Sequence, residues 1–396
     1  MIADDLFAGA GGWDLAAREL GIQAMGVENM KEACATREAA GLATKHADVW
    51  TYRPDGLAEG LIASPPCQTF SHAGKGAGRK ALGDVLAGIR GGFHRDIDAL
   101  HFFAQTVGDP RTGLVLTPLH FAVTGGYRWL AWEQVPTVLP VWEACADVLS
   151  GLGWSTWTGY LHSEQYGVPQ TRKRAFLLAS LDQEVAPPAP THSRYYSRTP
   201  MKLDEGVAKW VSMAEALGHV ADGMARNSGP GAARRPRSIE EPSYTIRAQG
   251  SGSLPSGVEW VLVPANGRVR TDGGGAWPRC GHQPAPTVTG EVGGQWVWRD
   301  DLPDWCHNRP STTIVGSFKP EIVAAPGYRT TVSRQNAPDS VRVTVQEAGV
   351  LQSFPADYPW QGAKGKQFLQ AGNAIPPLMA AHALAAVTGR AMENAA

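Results

Sequence analysis

The sequence has little of three features that would assign it to a broad class. It contains five cysteines in 396 residues, too few and too scattered for a disulfide scaffold, which favours a reducing compartment. No apolar run approaches the length of a membrane span and no charged-then-apolar leader precedes the first apolar run, so we expect a cytoplasmic protein without a membrane partner. The formal net charge is −1, so contacts with nucleic-acid phosphates would need local clusters of lysine and arginine.

The N-terminal segment predicts a binding cradle of the nucleotide type. Asp5 to Gly12 is typical of a short strand that enters a glycine-rich turn, and a helix is predicted from Trp13 to Gly21. Glycines let the backbone approach a ligand closely, and a helix N-terminus offers unpaired N–H groups. The next apolar run ends on Glu28, where a carboxylate can accept hydrogen bonds from ribose hydroxyls, and Asp48 follows it. The alternative for both acids is a solvated loop charge.

A second motif places a lone thiol directly after two prolines. Ala63-Ser64-Pro65-Pro66-Cys67-Gln68 follows a short apolar run, and two prolines cannot continue a central strand, so the chain must turn there. The turn would hold the Cys67 thiol rigidly at the mouth of the preceding sheet, as a nucleophile requires. The alternative is a small apolar residue in a tight turn, since cysteine is among the most buried residue types.

These motifs and several others, in this order, resemble the S-adenosylmethionine-dependent DNA cytosine-5 methyltransferase family. The blocks are Asp5-Leu6-Phe7-Ala8-Gly9-Ala10-Gly11-Gly12, Glu28, Asp48, Pro65-Pro66-Cys67-Gln68, Trp132-Glu133-Gln134-Val135, Tyr166-Gly167-Val168-Pro169-Gln170-Thr171-Arg172-Lys173-Arg174, Arg342-Val343-Thr344 and Gly372-Asn373-Ala374-Ile375-Pro376-Pro377. The resemblance implies an α/β fold, a doubly wound Rossmann-like methyltransferase sheet joined to a second, irregular, β-rich target-recognition domain. It also implies a prokaryotic or phage-encoded enzyme.

The chemistry of this family explains why these residue types occur together. The C5 carbon of cytosine is a poor nucleophile, so a thiolate must first add to C6 before C5 can attack the methyl group. The resemblance assigns the nucleophile to Cys67, a carboxyl group at cytosine N3 and the exocyclic amine to Glu133, and a cation near O2 to Arg174. Arg172 would lie beside Arg174 and help to hold the thiol loop or the target nucleotide. Outside this family, Glu133 could be a loop carboxylate after a strand over Arg128 to Trp132, and the two arginines a solvated turn.

The resemblance also implies the ligands. The cofactor is S-adenosylmethionine, with S-adenosylhomocysteine as product. Double-stranded DNA is the expected partner, no obligate protein partner is implied, and a cognate restriction endonuclease is a further candidate. The predicted cofactor-binding residues are Phe7, Ala8, Gly9, Gly11, Gly12, Glu28, Asp48, Pro66, Asn373 and Ala374. The predicted DNA-binding residues are Gln68, Ser71, Lys75, Arg79, Arg234, Arg235, Arg237 and Arg247. No metal is expected, because Cys280, His282, Cys306 and His307 do not repeat a ligand spacing.

The composition divides the chain into three parts. Residues 1–182 alternate apolar runs with helical stretches such as Val141 to Gly153, which predicts the catalytic domain, whose last strand is Ala175 to Ser180. Residues 183–338 are rich in glycine, proline, arginine and tryptophan, and the resemblance makes them the target-recognition domain. Residues 339–396 return to helical character at Thr344 to Leu351 and Pro377 to Thr388, and we expect them to pack on the first domain.

Three departures from the family pattern stand out. Gln134 replaces the usual asparagine and would brace the thiol loop differently, and Asn29 replaces the residue after Glu28 that is often aromatic. The segment Lys80 to Gln105 lengthens the interval between Cys67 and Glu133. Its basic residues could contact phosphate or form a helix over the thiol loop, and an inert surface insertion is the alternative.

Three other functions remain compatible with parts of the sequence. An RNA cytosine methyltransferase shares the fold, but the Cys-Phe-Thr block of the tRNA-acting branch is missing. A catalytically silent DNA-binding protein is disfavoured because Cys67, Glu133 and Arg174 are all intact. A different cytosine modification on the same scaffold stays open.

Overall fold

The computed structural model describes residues 1–66, 82–107, 109–196, 198–199, 201–217, 302, 304–314, 322–323 and 341–392. The strands of this part of the chain are β1 Ile2–Leu6, β2 Gln23–Glu28, β3 Thr44–His46, β4 Gly60–Ala63, β5 Trp129–Gln134, β6 Ser155–His162, β7 Lys173–Ser180, β8 Ile322–Val323 and β9 Val341–Arg342. The α-helices are α1 Gly12–Glu19, α2 Lys31–Ala39, α3 Leu82–Arg90, α4 Ile97–Thr106, α5 Pro110–Gly113, α6 Thr117–Thr124, α7 Leu139–Ser150, α8 Met213–Leu217, α9 Asp304–His307, α10 Val345–Val350, α11 Lys364–Asn373 and α12 Pro377–Thr388.

Strands β1 to β7 form one sheet in the order β3-β2-β1-β4-β5-β7-β6. Strands β1 to β5 run parallel to one another, whereas β7 runs antiparallel between β5 and β6. The strand order reverses between β1 and β4, and in open α/β sheets ligands bind outside the carboxyl ends of the strands at such a point. The prediction of a doubly wound α/β sheet is confirmed.

Helices cover both faces of the sheet, which therefore has two buried layers. Alternate residues of one strand point to opposite faces, so Leu130 and Trp132 join one core cluster while Trp129 and Ala131 join the other. The first cluster packs under α3, α6 and α7, and the second packs under α1 and α12. Burial on both faces explains the nearly continuous apolar runs of β4, β5 and β7.

The sequence located most of these elements within two or three residues. The predicted strand Ala175 to Ser180 lies inside β7, the predicted helix Val141 to Gly153 overlaps α7, and Pro377 to Thr388 is α12. One expectation was wrong. The strand predicted over Arg128 to Trp132 continues to Gln134, so Glu133 lies within β5 and is not a loop carboxylate.

The segment Lys80 to Gln105 is described from residue 82 onward, and it is not an inert surface insertion. Its helices α3 and α4 place Val85, Ile89, Leu100 and Phe103 in the first core cluster. His94 is also buried, so its ring cannot contact phosphate. The exposed residues Arg95, Asp96 and His101 leave the predicted phosphate contact untested.

The C-terminal helices return to the N-terminal sheet, as the sequence predicted. Helix α12 packs along α1, and Thr344 caps α10 in a capping box with Glu347. A third core cluster joins α10 and α11 to Ala10 and Leu15, and to described residues before position 338 such as Met213 and Cys306. The boundaries at 182 and 338 stay a prediction, since most of 183–338 lies outside the described residues.

A buried ion pair holds the first two helices together beneath the glycine turn. Arg37 donates to both carboxylate oxygens of Asp14, at 2.6 and 2.7 Å, and also to the carbonyls of Ala8 and Ala43. Burial disfavours the charge of Arg37, but the nearby Asp14 carboxylate outweighs this and raises the pKa of the guanidinium. Asp5, fully buried beside them, has its pKa raised well above the ordinary range by burial and by the Asp14 charge.

We expect Arg37→Met to lower the free energy of unfolding by about 3–5 kcal/mol, because it leaves the Asp14 carboxylate buried without its partner. Urea denaturation measures this change. Arg128→Met is the matched control, since Arg128 pairs with Asp182 at the surface and its loss should change stability little. Equal losses in the two variants would contradict a dominant role for the buried pair.

No helix of the described residues is both long enough and apolar enough to cross a bilayer.

Candidate active site

A cavity of the described residues opens at the carboxyl ends of β1, β4 and β5. Its volume is about 230 Å³. Most of the predicted site residues that the structure describes line it together: Phe7, Ala8, Gly9, Gly12, Glu28, Pro66, Glu133, Arg172, Arg174, Asn373 and Ala374. These residues come from both ends of the chain, so the fold brings the predicted blocks to one place.

A smaller cavity of about 80 Å³ shares Phe7, Glu28, Asn29 and Pro66 with the first. Asp48 lines this second cavity and accepts a hydrogen bond from the backbone N–H of Trp50 at 3.0 Å. The Trp50 ring also lines it and stacks on His101 of α4, with 4.5 Å between ring centroids. Asp48 and Glu28 thus line the smaller cavity together, while the cofactor contact predicted for each stays a prediction.

The glycine turn after β1 is held open by the carboxylate of Glu28. The backbone N–H of Gly9 donates to Glu28 Oε2 at 2.8 Å, while Oε1 accepts from the N–H groups of Asn29 and Met30. Gly9 has φ +53°, and a Cβ there would meet no atom closer than the Phe7 carbonyl at 4.0 Å. The turn therefore leaves open space beside its backbone, and Glu28 links it to β2.

Gly11 packs against the protein core. It is not among the residues that line the cavity, and with φ +94° a Cβ there would overlap Leu42 and approach the Tyr358 hydroxyl to 3.1 Å. Gly11 therefore allows the turn to pack closely on the segment after α2 and on the C-terminal segment, and its predicted contact with the cofactor stays a prediction. Gly12 does line the cavity, and a Cβ there would overlap the carbonyl of Ile375.

Glu133 and Arg174 form an ion pair in the cavity wall. Arg174 Nε lies 2.9 Å from Glu133 Oε1, and both side chains are largely buried. The pair forms because β7 is antiparallel to β5, so the start of β7 lies at the edge where β5 ends. A carboxyl group and a guanidinium at one wall can bind a planar ligand that offers both donors and acceptors.

Ser64 also contacts this carboxylate, although the sequence gave it no role. Its hydroxyl lies 3.2 Å from Glu133 Oε2, and the indole Nε1 of Trp13 lies 2.9 Å from the same hydroxyl. The only signal in the sequence was its place directly before Pro65-Pro66 at the end of an apolar run. A polar residue there had to lie at the mouth of the sheet.

The expected bracing by Gln134 is visible in the turn before Cys67. The Gln134 side-chain amide donates to the carbonyl of Pro65 and its oxygen accepts from the N–H of Val135. Pro65 and Pro66 end the β4 turn, so this bond fixes the last described residues before the thiol. Cys67 lies outside the described residues, as do Gln68, Ser71, Lys75, Arg79, Arg234, Arg235, Arg237 and Arg247.

Arg172 is buried and binds the C-terminal block. Its Nη1 donates to the carbonyl of Gly372 at 3.1 Å, and its backbone N–H donates to the Ser163 hydroxyl. Arg172 therefore ties the segment before β7 to the residues next to Asn373. Both arginines line the same cavity, and Arg174 pairs with Glu133 there.

The turn that supports Arg172 contains a buried acid, Glu164. Burial raises the pKa of its carboxyl to about 7. Burial and the positive charge of Arg194 lower the pKa of the neighbouring His162 to about 4. The described residues contain no group of three or more histidine, cysteine, aspartate or glutamate side chains that could hold a metal ion.

Comparison with known proteins connects this site to one kind of enzyme. Residues 1–86 match the family model for C-5 cytosine-specific DNA methylases. The chain is 25% identical to the type II methyltransferase M1.HphI of Haemophilus parahaemolyticus, over 95% of this chain and 83% of that protein. It is 23% identical to the type II methyltransferase M.AplI of Arthrospira platensis, over all of this chain and 87% of that protein.

Solved structures show the same fold at lower identity. A putative DNA modification methyltransferase encoded within a prophage of E. coli superimposes with a TM-score of 0.51 at 15% identity, covering 98% of this chain and 99% of that one. The S. pombe Dnmt2 methyltransferase superimposes with a TM-score of 0.52 at 14% identity, covering 98% of each chain.

The raised pKa of Glu164 predicts a pH dependence of stability. A carboxyl with a higher pKa in the folded state stabilises the fold below its ordinary pKa, and this contribution is lost as pH rises through about 7. Relative to Glu164→Gln, the wild type should therefore lose about 3 kcal/mol of unfolding free energy between pH 4.5 and pH 8.

Urea denaturation of both proteins across this pH range measures the difference. Titration of His162 acts with the opposite sign, because a histidine kept neutral in the fold loses stability as pH falls, but it is common to both proteins and cancels. Parallel stability curves for wild type and Glu164→Gln would show that Glu164 is already ionised at low pH.

Proposed function

Because the chain belongs to the C-5 cytosine-specific DNA methylase family and is a DNA cytosine-5 methyltransferase, we propose that it methylates C5 of a flipped cytosine through a covalent Cys67–C6 bond. The methyl donor would be S-adenosylmethionine. One observation carries this proposal: the Glu133–Arg174 pair lines the same cavity as the glycine turn and Pro66, the residue before Cys67. A carboxyl group and a cation beside the residue that precedes a cysteine in the sequence match the needs of this reaction.

The shape of the cavity supports S-adenosylmethionine as the ligand. Gly9 leaves open space beside its backbone, and the carboxylate of Glu28 lies at the end of β2, where ribose hydroxyls can donate to it. Asp48 and Trp50 would lie around the adenine in the smaller cavity, while Asn373 and Ala374 would line the opposite wall. When bound, the cofactor supplies an electrophilic methyl group.

We assign three steps to residues of this chain. Glu133 accepts a hydrogen bond from the exocyclic amine of cytosine and, as the carboxylic acid, donates one to N3, and Arg174 stabilises charge at O2, so the ring accepts the Cys67 thiolate at C6. The resulting electron density at C5 takes the methyl group, and a base then removes the C5 proton as the thiolate leaves. Arg172 would act indirectly, because it fixes the segment that carries Arg174.

Recognition of the target DNA sequence is assigned in this proposal to residues 183–338. In duplex DNA the cytosine is stacked, so it must leave the helix to reach Cys67, while specificity comes from contacts with base edges and phosphates. The arginines Arg234, Arg235, Arg237 and Arg247 are proposed for these contacts, together with Gln68, Ser71, Lys75 and Arg79 near the thiol. The names of the relatives as type II methyltransferases support a cognate restriction endonuclease as partner. The cytoplasmic location stays a prediction.

Cys67→Ala should abolish methylation, because C5 lacks the electron density to attack a methyl group without addition at C6. Bisulfite sequencing of host DNA with and without the expressed protein measures both the activity and the methylated site. Cys145→Ala is the control, since Cys145 is buried in α7 away from the cavity and the variant should still methylate. Methylation by Cys67→Ala at even a few per cent of the wild-type rate would overturn the assignment of the nucleophile.

Glu133→Gln should lower the single-turnover rate of methyl transfer by about 10²–10⁴-fold, because a neutral amide cannot activate the cytosine ring. Its affinity for S-adenosylmethionine, measured by calorimetry, should be unchanged. Glu143→Gln on the exposed side of α7 is the matched control and should behave as wild type. Loss of cofactor affinity together with rate would mean that Glu133 holds the fold of the cavity and does not act on the base.

A further inference from the structure

We propose that Ser64 is a positioning residue, which fixes the Glu133 carboxylate through a one-way chain of hydrogen bonds from Trp13. This inference rests on the proposed function, because Glu133 is the group whose orientation it controls. Neither Ser64 nor Trp13 has a role in the reaction as derived above. Their effect would reach the substrate only through the carboxylate.

The strand register brings the three side chains to one face of the sheet. Ala63 pairs with Trp132 in the parallel β4–β5 ladder, so Ser64 lies beside Glu133 one residue further on. The backbone N–H of Ser64 still donates to the carbonyl of Leu6, which keeps it in register with β1. Because side chains alternate along a strand, Ser64 points to the same side as Ile62, and Glu133 to the same side as Ala131, the face covered by α1.

The direction of the hydrogen bonds follows from the donors available. An indole N–H can only donate, so the bond of 2.9 Å from Trp13 Nε1 occupies a lone pair of the Ser64 oxygen. A serine hydroxyl has one proton, and that proton is then free to point at Glu133 Oε2, 3.2 Å away. Trp13 thus selects the rotamer of the hydroxyl in which it donates to Glu133.

Glu133 is consequently held at both oxygens. Arg174 Nε binds Oε1 at 2.9 Å and Ser64 binds Oε2, so rotation of the carboxylate about its terminal bond would break one contact or the other. The remaining lone pairs of both oxygens stay available for a substrate. Misplacement of a group that binds the reacting ring can slow a reaction strongly even where ligand binding survives.

Trp13, the first donor in this series of hydrogen bonds, is held rigidly. Trp13 is only 2% exposed, and its ring contacts Phe176 edge-on, with 6.2 Å between centroids. Phe176 is the residue of β7 that pairs with Glu133. The same strand that carries Arg174 therefore also supports the indole that orients Ser64.

The test is a double-mutant cycle on the full-length protein, with steady-state methylation of a duplex that contains the site found by bisulfite sequencing. Ser64→Ala should lower kcat by about 10-fold, the effect of losing one hydrogen bond to a charged group. Its KM values for S-adenosylmethionine and for DNA should stay close to those of wild type. Ser64→Thr keeps the hydroxyl and should restore most of the rate.

Trp13→Phe should lower kcat by a smaller factor in the wild-type background and have no further effect on kcat in Ser64→Ala, because its influence passes through the hydroxyl. Trp142→Phe is the matched control, since no described residue accepts a hydrogen bond from Trp142 Nε1. Ser150→Ala at the surface is the control for loss of a hydroxyl. If Ser64→Ala does not fold, Ser64→Cys replaces it with the same expected loss, because a thiol is a weak donor.

Two results would overturn the proposal. A wild-type kcat for Ser64→Ala would show that Arg174 alone orients the carboxylate, and additive effects of the Ser64 and Trp13 variants would show that they act separately. If Glu133→Gln is inactive in the same assay, either result removes the positioning role and leaves the proposed function intact. If Glu133→Gln is fully active, the proposed function itself fails.

Discussion

The antiparallel pairing of β7 with β5 is the constraint on which the site depends. In a wholly parallel sheet, the start of a neighbouring strand lies at the opposite edge from the end of β5. Because β7 is reversed, Arg174 at its start meets Glu133 at the end of β5. The pairing of Gln134 with Ala175 fixes the register of the two strands and therefore the positions of these two residues. The contact between Glu133 and Arg174 is therefore a result of topology, and local sequence around either residue could not produce it alone.

A second constraint acts from below the glycine turn. The Asp14–Arg37 pair fixes the first turns of α1 against α2, and Tyr358 donates to the carbonyl of Ala10 from the C-terminal segment. Gln361 adds a bond from its backbone N–H to Thr36 at 2.8 Å. The turn is thus supported by residues from three separate parts of the chain, and its open side is the one that faces the cavity. This explains how a loop of small residues can keep a defined shape.

The residues of the candidate site were largely predictable because the reaction restricts residue type and order. A turn that approaches a ligand needs glycine, and a thiol at a sheet mouth needs a chain break before it, so the blocks around Gly9 and Pro66 could be found without a structure. The direction in which each side chain points could not be predicted from residue type and order. Whether a Cβ at Gly11 would face ligand or core depends on Leu42 and Tyr358, which are distant in sequence.

Other differences between the sequence-based predictions and the structure also arise from contacts between residues that are distant in the sequence. The segment from residue 82 to Gln105 contains charged residues that suggested a surface, yet its apolar positions complete the main core. Ser64 had no signature of its own, because its partners are 51 and 69 positions away along the chain. The strand predicted to end at Trp132 continues to Gln134 and includes Glu133, since strand ends are set by pairing with the next strand. Tertiary contacts decided each of these points.

The position of α12 determines when this fold can form during synthesis. The helix packs with Trp13, Leu20 and Ile22 in the second core cluster, and Arg390 just beyond it donates to the carbonyl of Leu20 at 2.9 Å. A ribosome makes α1 and the first strands long before it makes α12. Until α12 is made, one apolar face of the nascent sheet lacks the helix that covers it, so the N-terminal domain cannot finish folding before then and chaperones can bind that face.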